Sequence, residues 1–380
     1  MDPIIDNISE SPAVLRFTMR NINVSYANAI RRVILSDIPT VVFKTFPYSE
    51  NKVNITKNTT RLNNEITKQR ISCIPIHITD TTFPIQDHVV ELDVTNKSGA
   101  VRFVTTKDFR IKNIKNDRYL SEAATQKIFP PDPITKDRII ITRLRPQTSS
   151  GEGESIKLSA GLDISTAKEN SSFNVACTCS FGASMDPITA SSAWAEHEPT
   201  LIKSMSASEW EEQRDTAKQD WMLLQGRRFV LENSFDFIIE SVGVFTNTNI
   251  VYRAADVMIK KLERFIRVIQ ETPDIINKAV TTIDNSYDIK LVGEDYTLGK
   301  AIEFTLYNKH YKSGLEQSDQ SVTYCGFNKP HPHIDESLLR IGFEQPRDIS
   351  EVTAVLVSAA QDTIQVFEKI GGQFNLDPET

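Results

Sequence analysis

The chain has 380 residues, 39% of them hydrophobic and 24% charged, and its 43 Lys+Arg against 50 Asp+Glu leave a formal net charge of -7. That length supports two or three domains with buried cores, and so mild an acidic balance excludes a stand-alone coat for a polyanion. The apolar run Val352 to Ala360 falls short of the roughly 20 residues that span a bilayer, and the acidic start Met1 to Asp6 is unlike a signal peptide. Four cysteines are too few for a disulfide framework, so an intracellular protein is expected and the sequons at Asn54 and Asn58 are idle.

Val14 to Met19 alternates as a strand, and Asn23-Val24-Ser25 offers a cap for a helix over Tyr26 to Ser36. Tyr26, Ile30, Val33 and Ile34 recur there at helical spacing. Pro39 ends the helix, and Val41 to Phe43 resume an extended pattern. From Asn51 to Asp186, turn clusters separate six alternating runs: Arg70 to Ile78, Val89 to Val94, Val101 to Thr105, Ile139 to Leu144, Ile156 to Leu162 and Phe173 to Phe181. They predict a mainly β module. Within it, Arg102 to Arg145 holds eleven Lys/Arg against five Asp/Glu, either a solvated basic face or a contact for an acidic partner or nucleic acid. Ser149-Ser150-Gly151-Glu152-Gly153-Glu154 reads as a flexible turn, because carboxylates stand where a phosphate loop needs a cation.

Trp194 to Gln225 turns acidic, with Lys203, Arg214 and Lys218 as its only cations. Ser206-Ala-Ser-Glu209 forms a capping box for a helix carrying Trp210 and Trp221 on nearly one face, packed in their own domain or turned to a partner. Arg228 to Glu240 alternates as a strand, and Asn249 caps a long helix, Ile250 to Glu271, that ends at Thr272-Pro273. Beyond that break Tyr287 to Val292 is strand-like, and Thr297 caps a helix through Tyr307 with Leu298, Ala301, Ile302, Thr305 and Leu306 on its apolar face. Ser321 to Gly326 and Ser337 to Phe343 are strands around a Pro-His-Pro turn, and Asp348 caps a final helix to Ile370 that Gly371-Gly372 stops.

Asn28-Ala29-Ile30 matches Lys300-Ala301-Ile302 at an offset of 272 residues. Each short helix follows a strand, and each half closes with a long helix whose apolar stripe is wide. Two half-repeats with one grammar point to pairing about a pseudo-twofold axis, a self-dimerised scaffold.

Catalytic signatures are missing: the chain has no GxxxxGKS/T loop, no GxGxxG after a strand, no HExxH and no GxSxG elbow. Cys177 and Cys179 would share one face of a strand, whereas zinc knuckles need at least two intervening residues. Cys325, His331 and His333 supply three ligands without a fourth. Catalytic residues, metal and cofactor are all read as none.

Asn23-Val-Ser-Tyr-Ala-Asn-Ala-Ile-Arg-Arg-Val-Ile-Leu-Ser-Asp-Ile-Pro-Thr40 closely resembles the signature helix of the α-like assembly subunits of multisubunit RNA polymerases. Leu62 to Ile76 resembles the segment entering that family's inserted domain, Glu154 to Ser180 its last strands, and Val242 to Arg264 the long helix of the larger subunit of the eukaryotic or archaeal pair. Asp295-Tyr-Thr-Leu-Gly-Lys-Ala-Ile302 and Gly326 to Pro332 resemble the smaller subunit. The resemblance implies an α+β fold: two dimerisation-type units forming an intramolecular pseudo-dimer, 1-50 with 187-275 and 276-380, and a mainly β domain, 51-186, inserted in the first. One polypeptide would fuse two partners that are usually separate chains, as in polymerases resembling those of large nucleocytoplasmic DNA viruses.

The resemblance further implies a non-catalytic platform in a DNA-dependent RNA polymerase. Asn28, Arg31 and Arg32 would contact the second-largest subunit, while Tyr26, Ile30 and Val33 would face Leu298, Ile302 and Leu306. The largest subunit and small zinc-ribbon-type subunits are further partners, nucleic acid is met only through the complex, and no membrane is involved. The expected setting is nucleus or cytoplasm, and the virion for a viral protein. The family's larger subunit often carries a cysteine-rich metal loop, but only Cys73 lies near its position here. A rival reading is a free transcription factor that binds DNA through residues 102-145.

Overall fold

The computed structural model describes residues 1–380 apart from 12, 81, 148–150, 203–206, 312–320 and 375–380, and apart from the side chains of 207–209. Lys203, the Ser206 capping box and the Ser149-Ser150 part of the expected turn lie outside the described residues.

The chain begins with β1 (Ile4–Glu10), β2 (Val14–Arg20), α1 (Val24–Ser36), β3 (Thr40–Val42), β4 (Val53–Asn58) and α2 (Asn64–Ser72). There follow β5 (His88–Thr95), β6 (Arg102–Thr105), β7 (Arg110–Asn113), β8 (Arg118–Tyr119), α3 (Glu122–Ile128), β9 (Ile140–Leu144), β10 (Ser155–Gly161) and β11 (Asp163–Ser165). The strand β12 (Ala176–Met185) leads to α4 (Pro187–Ile202), α5 (Ala207–Leu224), β13 (Val230–Ser241) and α6 (Asn247–Glu271). The rest is β14 (Ile276–Lys278), β15 (Ser286–Val292), α7 (Tyr296–His310), β16 (Val322–Asn328), β17 (Glu336–Phe343) and α8 (Ile349–Phe374). Two compact units result: Met1–Val33 with Thr178–Glu240 and Asn247–Thr380, and Ile34–Cys177 with Ser241–Thr246.

The first unit holds two four-stranded antiparallel sheets, ordered β1-β2-β13-β12 and β14-β15-β17-β16. The two orders are the same once each half is counted from its own start. An offset of 272 aligns Ile4 with Ile276 at the starts of β1 and β14, Val14–Arg20 with Ser286–Val292, and Val24 with Tyr296 at the starts of α1 and α7. An offset of 102 aligns the starts of α6 and α8 and the ends of β13 and β17. The central ladder repeats as well, since Val14 pairs Glu240 and Phe17 pairs Phe237 where Ser286 pairs Gly342 and Ile289 pairs Leu339, whereas the edge pair is shifted by three residues: Ile4 pairs Arg20 but Ile276 pairs Ile289. The turn before each short helix uses a left-handed residue at the matching place, Asn21 at φ 58° and Gly293 at φ 79°, conformations that Asn and Gly tolerate best.

Helix burial follows from the stripes. Ile250, Val251, Ala254, Ala255, Met258, Leu262, Phe265 and Ile269 of α6 are buried, as are Val352, Leu356, Ala359, Ala360, Val366, Phe367 and Ile370 of α8, and the two helices pack on each other. The last helix does not stop at Gly371-Gly372 but runs on to Phe374. A Cβ on Gly371 would lie 3.3 Å from Ala255 Cβ, so the glycine serves close helix approach. One turn on, Phe374 sits edge-on to Phe17 with centroids 5.0 Å apart, and that burial rewards the extra turn. The helix predicted from Asn249 starts earlier, at the buried Asn247.

The second unit carries a five-stranded sheet ordered β4-β10-β5-β7-β8 and two two-stranded sheets, β6-β9 and β11-β3. Its core gathers Phe43, Phe109 and Phe129, whose centroids are 5.0–6.1 Å apart, with Val90, Leu92, Ile141, Ile156 and Leu158. One expectation fails here. Arg70 to Ile78 is not a strand: Asn63 accepts the Ile66 N–H at 2.8 Å and opens α2, which buries Thr67 and Ile71 four residues apart. The alternation in burial comes only after it, where Ile74, Ile76 and Ile78 are buried in an irregular segment outside any ladder.

Candidate functional site

The two short helices are capped alike. Asn23 Oδ1 accepts the Ser25 N–H at 2.9 Å for α1, and Asp295 Oδ1 accepts the Thr297 N–H at 2.8 Å for α7. Asp295, not Thr297, is the cap, because a carboxylate one residue outside the helix reaches the orphan N–H groups and favours the positive end of the helix dipole. Arg32 reaches the same spot: its Nη2 donates to Asp295 Oδ2 at 2.7 Å and its Nε to Thr297 Oγ1 at 2.7 Å. Burial pushes the Asp295 carboxyl up, but the Thr297 donors and the Arg32 guanidinium outweigh it and hold the group at about 2.

The apolar positions of the two helices are withdrawn from solvent. Tyr26, Ile30 and Val33 of α1 and Leu298, Ile302 and Leu306 of α7 are all buried. The Tyr26 ring stands edge-on to Phe304 and to Phe367 of α8, with centroids 5.9 and 5.6 Å away. Its hydroxyl lies 2.6 Å from Thr305 Oγ1, which is 2.8 Å from Thr363 Oγ1, and Thr363 donates to the Ala359 carbonyl at 2.8 Å. Thr305 Oγ1 also donates to the Ala301 carbonyl at 3.0 Å, so every hydroxyl of the group has an acceptor within reach. Burial raises the Tyr26 phenol above its ordinary range, which keeps the donor neutral.

Asn28 and Arg31 form a second group on α1. Both are half-buried, and Arg31 donates Nε and Nη2 to Asn28 Oδ1 at 3.0 and 2.9 Å. This fork fixes the guanidinium on the helix, although it takes up only two of its five donors. Of the predicted residues, then, Tyr26 and Arg32 make direct contacts to the second half. Sequence reading missed Asp295, Thr305 and Thr363 as their partners. The offset of 272 would have found Asp295, because it aligns with the cap Asn23.

The remaining motifs resolve locally. Trp194 and Trp210 are buried, and Trp221 lies 5.7 Å from Trp194 and 6.1 Å from Phe229, so these rings pack within their own unit. The basic stretch is largely answered by its neighbours. Arg102 meets Asp108, Lys112 meets Asp117, Lys115 meets Asp87 and Arg145 meets Glu154, while Arg138 donates to the Phe129 carbonyl and Arg110 lies over Tyr119. Among the described residues these contacts break up the row of cations that a phosphate backbone would engage. Glu154, read as a turn carboxylate, is in fact buried and accepts the Arg145 N–H at 2.7 Å.

Cys177 is exposed and Cys179 buried, its thiol pushed up to about 12 by burial despite the nearby Arg31 charge. Among the described residues no group of three or more His, Cys, Asp and Glu could hold a metal ion, and Cys73 is exposed, so the family's cysteine-rich loop has no fitting ligand set here. No described helix is long and apolar enough to cross a membrane.

Comparison with known proteins matches residues 16–262 to the RNA polymerase Rpb3/Rpb11 dimerisation domain. The chain is 28% identical over 193 residues to DNA-directed RNA polymerases I and III subunit rpac1 of Dictyostelium discoideum, covering 47% of this chain and 51% of that one. It is 37% identical over 84 residues to the probable polymerases I and III subunit RPAC2 of Caenorhabditis briggsae, 22% of this chain and 49% of that one. It is 24% identical over 283 residues to DNA-directed RNA polymerase subunit Rpo3 of Methanosarcina acetivorans, 70% of this chain and 98% of that one. The chain thus spans about half the length of the slime-mould and nematode relatives. A family match over residues 16–262, well more than half of the chain, makes this chain a member of the RNA polymerase Rpb3/Rpb11 dimerisation-domain family.

Proposed function

We propose that the chain is a non-catalytic assembly subunit of a DNA-dependent RNA polymerase, in which two dimerisation partners are fused as an intramolecular pseudo-dimer. The observation that carries this is the repetition of strand order, central ladder register, cap and left-handed turn between the halves. Similarity both to a subunit named rpac1 and to one named RPAC2 supports the fusion. The division proposed is 1-50 with 187-275, an insertion 51-186, and 276-380. Tyr26, Ile30, Val33, Leu298, Ile302 and Leu306 form the internal seam. Asn28, Arg31 and Arg32 form the face for the second-largest subunit, with the largest subunit and small zinc-ribbon-type subunits as further partners, inside the cell and in a polymerase of viral type.

Arg32 is also tied to Asp295, so substituting it mixes folding with binding. Arg31 separates the two. In a cell that expresses the whole polymerase, tagged Arg31→Glu chain should remain folded and lose co-purification of the large subunits. Undiminished co-purification would overturn the assigned face.

A further inference from the structure

The second unit contains a cleft of about 560 Å³ ringed by Arg61, Arg70, Arg143 and Arg145, with Leu62, Val101 and Ile140 between them. Its volume lies within the roughly 300–1,000 Å³ of sites that bury a ligand. The four guanidinium groups are not equivalent. Arg145 is answered by Glu154, and Arg70 donates to the carbonyls of Ile141 at 2.8 Å and Ile140 at 2.6 Å. Arg143 lies over the Phe103 ring at 5.3 Å, and among the described residues neither it nor Arg61 meets a carboxylate. The cleft therefore holds four cations against one anion. Val101 is 52% and Ile140 39% exposed, costly apolar area for a free surface.

We infer that this cleft docks an acidic segment of a partner protein, a stretch in which Asp or Glu side chains flank an apolar one. Arg61 and Arg143 each offer a planar fork for a carboxylate, and Val101 and Ile140 take the apolar side chain between them. Charge complementarity alone would also admit a phosphate backbone, but a phosphate track has no use for the apolar floor, and the neighbouring cations of the stretch are already compensated. The inference needs only this unit, so it stands apart from the assembly reading.

The test is a selection of peptides of about 12 residues from a random library on the full-length chain, followed by anisotropy titration of the enriched sequences. Enriched peptides should carry two or more Asp or Glu around a branched or aromatic residue. The Arg61→Glu, Arg143→Glu double variant, with both changes at exposed positions, should weaken them by about tenfold or more, and Val101→Ser should weaken them without altering charge. Thermal unfolding of each variant checks that the fold is intact. Enrichment without acidic residues, binding unchanged in the double variant, or equally tight binding of a single-stranded oligonucleotide that the same variant weakens would each overturn the inference.

Discussion

Asp295 does two things at the start of α7: it caps the helix and receives Arg32. Its carboxyl is held at about 2 against an ordinary 3.8, so it stays charged where the unfolded chain is already taking up a proton. The resulting stability is present above the unfolded value and is lost as pH falls from about 4 towards about 2. Allowing for solvent screening of a partly exposed pair, it is on the order of 1 kcal/mol. Asp295→Asn should therefore flatten that acid limb, read as urea midpoints across the window; an unchanged limb would show that the pair contributes nothing.

Tyr26→Phe removes a buried donor and leaves Thr305 with one partner fewer, and should cost about 1 kcal/mol in denaturant midpoint at constant slope. Burial also raises the thiols of Cys179 and of Cys325, the latter to about 11. Alkylation of the folded chain at neutral pH should then modify the exposed Cys73 and Cys177 first, as peptide mapping would register. At this scale the sequence was readable where a side chain acts through its own helix, as with the apolar stripe of α1. It was opaque where a partner comes from 263 residues away, as Asp295 does for Arg32.

Among the elements, α8 separates two uses of glycine that look identical in sequence. Gly371 faces Ala255 at 3.3 Å, whereas nothing lies within 4 Å of a Cβ on the exposed Gly372. Gly371→Leu should push α8 off α6 and destabilise by about 1–3 kcal/mol, while Gly372→Ala should stabilise by about 0.5–1 kcal/mol through the entropy of the unfolded chain. Thermal melts of the two variants check the pair, and equal effects would remove the packing account. A glycine doublet signals a helix end in sequence because the signal is local, and only the buried Phe374 beyond it overrides that preference. The Arg70 to Ile78 run has the same origin: the helix α2 and the irregular segment of Ile74, Ile76 and Ile78 abut, and their apolar residues merge into one apparent alternation.

Across the whole molecule, the repeat was legible as two identical residues, Ala29-Ile30 and Ala301-Ile302, at an offset of 272, and the structure extends it through strand order, caps, turns and the central ladder. Faithful repetition of backbone geometry under diverged side chains is what packing predicts, since the inward positions need only apolar volume while register and turn handedness are fixed by the backbone. The same logic accounts for the link between β12 and β13, where α4 and α5 stand in place of the short turn that joins β16 to β17. Elongation at a hairpin tip leaves the ladder unchanged.

The proposed fusion makes a direct demand on composition. Native mass measurement of the polymerase purified through the tagged chain should find one copy of it beside the two large subunits, with no separate chain equivalent to residues 276-380. Two copies, or one copy accompanied by a separate small dimerisation partner, would contradict the fusion.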